Sequence, residues 1–158
     1  MNESVENRVI QKFRERVGRG DVAQIRVTSR IAGGMPGEGR VEEEFSVLGT
    51  NQATLRARAT GAAPEEASSR LDEAKVRRLY ERLSEGLDSL VPREQARFVP
   101  DSDVGSITIE MDGEQATFFY LADEEQREAQ GQTISPGMAE ALKELSTLSR
   151  QVREKRED

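Results

Sequence analysis

The sequence predicts an α+β fold: an antiparallel sheet of about five strands in the order β-β-β-α-β-β-α, two helices on one face, and a further helix at the N-terminus. Three observations predict it. Apolar residues alternate with polar ones in three short runs between residues 22 and 59. Asp112-Gly113 separates two further alternating runs, a strong two-residue hairpin signal. Two stretches, Val76 to Leu90 and Met138 to Val152, carry apolar residues at helical spacing.

In chain order, Val5, Val9, Ile10, Phe13 and Val17 have helical spacing, with Asn2 suited to cap the helix and Gly18 to end it. Residues 1–20 thus read as a helical appendage and hinge, whose apolar stripe must find a surface, either on the body of the protein or on another copy in a homo-oligomer. Ile25, Val27 and Ile31 then alternate with Arg26, Thr28 and Arg30. After a glycine-rich loop come Val41, Phe45 and Val47 opposite Glu42, Glu44 and Ser46, then Ala53, Leu55, Ala57 and Ala59 opposite Gln52, Thr54, Arg56 and Arg58. This pattern describes a meander with one wet face, where the glutamates of the second strand pair with the arginines of its neighbours.

Residues 60–70, small and polar, read as a loop. Asp72 suits an N-cap, Val76, Leu79, Tyr80, Leu83, Leu87 and Leu90 form one stripe, and Pro92 stops the helix. Across Asp112-Gly113, Ile107, Ile109 and Met111 share a face with Ala116, Phe118 and Tyr120. Phe119 and Leu121 then point to the other face, so a bulge turns them inward or something covers them. Residues 123–133 read as a charged loop, and Ser135-Pro136 opens the last helix in the order of cap then proline. The domain therefore spans residues 21–152, with 153–158 a charged tail.

Composition removes much catalytic chemistry. The 158-residue chain has no cysteine and no histidine, which excludes disulfides, thiolate metal sites, Ser-His triads and Cys-His dyads. A net charge of −7, no tryptophan and 4% aromatics argue against nucleic acid as a partner. Residues 1–11 are polar and charged, no apolar run reaches membrane-spanning length, and a cytoplasmic location is expected.

The suggestive motifs fail on their mechanics. Gly34 to Val41 has P-loop glycine spacing, but Arg40 and Val41 stand where lysine and Ser or Thr are needed, and a strand follows. Asp101 to Gly105 opens like a calcium loop without the later ligands. Arg19-Gly20-Asp21 reads as a hinge. Alternation separates Glu43 from Glu42 and Glu44, and no spacing gathers acids as an enzyme built on carboxylates would need. No enzymatic activity, catalytic residue, metal or cofactor is expected.

The loop Gly33-Gly34-Met35-Pro36-Gly37-Glu38-Gly39 is the stronger candidate. Its glycines permit close backbone approach, and Met35 offers an adaptable apolar side chain at a hairpin tip. Ile25-x-Val27-x-x-Arg30 running into Gly33-Gly34-x-x-Gly37, then a second strand, a helix, the Ile107-x-Ile109 hairpin and a closing helix, resembles the emfourin family. These are protein inhibitors of protealysin and related thermolysin-like metallopeptidases. The resemblance spans residues 22–152; the N-terminal helix and a longer first loop are additions. It implies a protein-binding module whose partner is a metallopeptidase. On physical grounds Gly33, Gly34, Met35, Pro36 and Gly37 are the partner-binding residues: Met35 would enter an apolar subsite and Pro36 would stiffen the loop against cleavage. The alternative is a non-inhibitory interaction or assembly protein that uses the first helix with Phe119 and Leu121.

Overall fold

The structure, a computed structural model, describes residues 5–33, 41–59, 61, 63–92, 104–121, 124–129, 131 and 133–157. Its elements are α1 (Val5–Arg19), β1 (Arg26–Gly33), β2 (Val41–Leu48), β3 (Gln52–Ala59), β4 (Glu65–Arg70), α2 (Glu73–Gly86), a 3₁₀ turn (Leu87–Ser89), β5 (Val91–Pro92), β6 (Val104–Met111), β7 (Glu114–Leu121), α3 (Glu124–Ala129) and α4 (Pro136–Glu157). The α+β class and the single antiparallel sheet are as expected. Among the described residues the sheet has six strands of six residues or more, with the two-residue β5 at one edge.

Strand order is β4-β3-β2-β1-β6-β7-β5, and every neighbouring pair is antiparallel. A four-strand meander, β1 to β4, thus lies beside the β6–β7 hairpin, joined where β1 pairs with β6. The β6–β7 turn has the geometry that Asp-Gly favours: Asp112 at φ 51° and Gly113 at φ 77°. As the spacing predicts, Ile107 lies opposite Phe118 and Ile109 opposite Ala116, all four buried.

The extra strand is β4, within the stretch read as a loop. Glu-Glu-Ala-Ser-Ser-Arg has little strand propensity of its own. It is extended because β3 supplies a ladder, from Ala57 opposite Glu65 to Gln52 opposite Arg70.

Helices α1, α2 and α4 cover one face. α2 begins as expected: the Asp72 carboxylate accepts from the backbone N–H of Ala74 at 2.8 Å. It ends at Gly86, short of Pro92, and the 3₁₀ turn carries Leu87 into the core. A Cβ at Gly86 would lie 2.7 Å from that of Met138, so glycine sets the close approach of α2 to α4. The Tyr80 hydroxyl lies 3.0 Å from the Ile25 carbonyl oxygen and 2.9 Å from that of Val47, pinning α2 to the middle of the sheet. Burial pushes its pKa well above the usual tyrosine range, so it stays a donor.

α1 is no appendage. Val9, Ile10 and Phe13 are buried, and the Phe13 ring sits 5.8 Å from that of Tyr80. Of the two surfaces open to the stripe, the body of the protein takes these three residues, while Val5 stays exposed. Gly18 lies inside the helix, and Gly20, at φ 73°, ends it. The Gly20 N–H donates to the Val17 carbonyl and the Asp21 N–H to that of Arg16, a Schellman closure.

α4 also departs from the reading, since it continues past Val152 to Glu157. Arg153, assigned to a solvated tail, bridges Glu43 at 3.2 Å and Glu65 at 3.5 Å. Its cap is as expected: the Ser135 hydroxyl accepts from the Met138 N–H at 3.2 Å. Within the stretch read as a charged loop, residues 124–129 form α3.

Candidate functional site

The second face of the sheet carries the outward residues of every long strand. Registering the strands produces rows that no single run reveals. One row is hydroxyls throughout: Thr117, Thr108, Thr28, Ser46, Thr54 and Ser68, each beside the next on adjacent strands. Neighbours bond at 2.9 Å between Thr108 and Thr117, 3.1 Å between Thr28 and Ser46, and 3.4 Å between Thr54 and Ser68.

The adjoining row runs Glu66, Arg56, Glu44, Arg30, Ser106 and Phe119. Its charges alternate, and Arg30 Nη2 donates to Glu44 Oε2 at 2.7 Å. The expected Glu–Arg pairing between neighbouring strands is therefore present. Arg56 and Glu66 stand 3.8 Å apart, and Glu42 lies opposite Arg58. On the other side of the hydroxyls, Arg26 lies between Leu48 and Glu110. A chain with net charge −7 thus has one face where Arg26, Arg30, Arg56, Arg58 and Arg70 nearly balance Glu42, Glu44, Glu66 and Glu110. Among the described residues this face is therefore close to neutral, and it presents donors and acceptors in fixed order.

The middle of the face is a shallow groove of about 480 Å³ over β1, β2, β6 and β7. Thr28, Thr108 and Thr117 form its floor; Arg26, Arg30, Glu44, Glu110 and Gln115 stand around it, with half-buried Phe119 at one end. The question of Phe119 and Leu121 has a definite answer. The β6–β7 register runs unbroken from Val104–Leu121 to Met111–Glu114, so no bulge turns them inward. α3 instead lies against β7, with Arg127 Nη1 donating to the Leu121 carbonyl at 2.7 Å, and Leu121 is 3% exposed.

Of the sequence-predicted partner-binding residues, Gly33 is the last residue of β1. Gly34, Met35, Pro36 and Gly37 lie outside the described residues. Ile31, expected in the core, is 43% exposed near that end of β1. It lies between Glu43 on β2 and Gly105 on β6. Above Gly105 lies the Tyr120 ring, whose atoms come within 2.2 Å of where a Cβ would be. Burial pushes the Tyr120 pKa up to about 12, against the lowering effects of a hydrogen bond with Ser29 and the charge of Arg127.

Sequence reasoning missed the hydroxyl row because it depends on pairing β1 with β6. Each member but Ser68, which falls in the stretch read as a loop, is a polar position of an alternating run, and that is the local signal. Among the described residues no three Asp or Glu gather as a metal site, and no helix is long and apolar enough to cross a membrane. No protein-family model and no curated protein matches the chain.

Proposed function

We propose that this chain is a protein-binding module of the cytoplasm whose contact surface is the open face of the sheet. The observation that carries the proposal is the ordered row of hydroxyls flanked by alternating charges and left uncovered by α1, α2 and α4. Such a surface discriminates among partners by the pattern of groups they bring, because each mismatched polar group loses hydrogen bonds to water without replacement.

The partner we propose is a thermolysin-like metallopeptidase. Support comes from the emfourin resemblance and from the position of Gly33, the last residue of the central strand β1. Inhibition would then come from residues 33–37, with the open face supplying affinity.

One titration tests both parts. A purified thermolysin-like enzyme is mixed with the intact chain, with Met35→Asp and with Thr108→Arg, and both binding heat and residual activity are measured. The expected result is inhibition by the intact chain, at least tenfold weaker inhibition by Met35→Asp, and weaker binding by Thr108→Arg. Neither heat nor inhibition from the intact chain would discard the peptidase as partner. Full binding by Thr108→Arg would remove the open face from the contact.

A further inference from the structure

β4 ends the sheet on one side, pairing with β3 alone among the described strands. A free edge presents backbone groups that lie outside the ladder, and the phase of the ladder says which they are. The Leu71 N–H donates to the Asn51 carbonyl at 2.7 Å. Residues in step with Leu71, namely Ser69, Ala67 and Glu65, therefore aim their backbone groups at β3. The alternate residues Glu66, Ser68 and Arg70 aim theirs away from the sheet.

The side chains of these three outward residues are themselves arranged symmetrically. Ser68 is the midpoint, an acid stands two residues before it and an arginine two residues after, all on the open face and all exposed. We propose that β4 pairs antiparallel with β4 of a second copy of this chain, about a two-fold axis through Ser68. This register places Glu66 opposite Arg70 of the second copy, Ser68 opposite Ser68, and Arg70 opposite Glu66. All three pairs bring outward backbone groups together, so each exchanges two N–H···O=C bonds.

Neighbouring registers are worse. An axis at Ala67 sets Arg70 against Pro64, which has no N–H, and an axis at Glu66 sets that carboxylate against itself. The side chains on the helix-covered side do not obstruct the approach: Ala67 and Ser69 are small, and Glu65, an inward charge of the kind that blunts an edge, is held by Arg153. In the pair, the charged row lengthens from Arg30, Glu44, Arg56 and Glu66 to Arg70 of the second copy, keeping its alternation throughout. The hydroxyl row continues through the axis from one copy into the other.

This inference does not depend on any peptidase partner, because it concerns the chain alone. Sedimentation equilibrium of the full chain at high micromolar concentration is expected to give twice the 17.6 kDa chain mass. Ser68→Pro deletes an outward N–H while sparing the bonds to β3, so it should give a monomer with unchanged circular dichroism. Arg70→Glu opposes carboxylates at two symmetric positions and should raise the dimer dissociation constant on the order of tenfold. Adding Glu66→Arg to it restores unlike pairs and should restore the dimer; this rescue holds the test even if the proline variant unfolds. A monomeric native chain would overturn the proposal and leave the edge to some other extended segment. A folded Ser68→Pro dimer would overturn it too, as would a swapped double variant no tighter than Arg70→Glu.

Discussion

On the covered face, Val27, Phe45, Leu55, Ile107, Ile109 and Phe118 pack beneath three helices and are almost wholly withdrawn from water. One residue along the same strands, Thr28, Ser46, Thr54, Thr108 and Thr117 stand in a row on the face away from those helices. The covered side gains its free energy from apolar area, which is indifferent to direction. Hydroxyls and charges on the open side gain little from each other, because water competes for every bond. Their order is what distinguishes them, and order matters for recognition more than for stability.

The largest expected effect comes from breaking the covered side. Phe118→Ala empties a fully buried position at mid-sheet and should cost about 3–5 kcal/mol, read from chemical denaturation. The matching change on the open side, Thr108→Val, should move stability by no more than about 0.5 kcal/mol. Equal losses would abolish the contrast between the faces.

A smaller effect sharpens it at the rim, where α1 meets the β6–β7 turn. Glu114 bonds Lys12 at 3.1 Å and stands 3.6 Å from Arg8, while Arg16 pairs with Asp112. The Lys12 hydrogen bond, with the charges of Lys12 and Arg8, holds the Glu114 carboxyl below its usual range despite opposing desolvation. A lowered folded-state pKa contributes stability that is present above the unfolded value, about 4.3, and lost as pH falls through the folded one. Glu114→Gln should therefore melt slightly below the native chain at neutral pH, and the gap should close on acidification. A gap independent of pH would mean that the carboxylate charge does not act there.

Legibility in the sequence followed how local each cause is. The Asp112-Gly113 turn, the Asp72 cap and the Ser135-Pro136 start depend on residues within a few positions, and each appears as expected. β4 was illegible because its residues have no preference for extension until β3 lies beside them. The stripe of α1 was legible as a helix, but the surface that covers it was not fixed, since nothing in it says that Tyr80 and β7 will be its neighbours. Arg153 looked like tail for the same reason: Glu43 and Glu65 reach it only once the sheet exists. The glycine-rich segment was the most conspicuous feature of the sequence, yet the row that crosses the sheet is assembled from threonines and serines that no local pattern singles out.

The seam between β1 and β6 bears on how quickly the molecule forms. Every other pairing of the long strands joins neighbours in the chain, whereas this one brings Arg26 beside Glu110. Closing so long a span loses chain entropy before its contacts repay it, so this seam is expected to form after the meander and the hairpin. If that step limits refolding, a Val27→Ala chain, altered where the seam is buried, is expected to refold more slowly in stopped-flow, and an unchanged refolding rate would place the seam after the barrier.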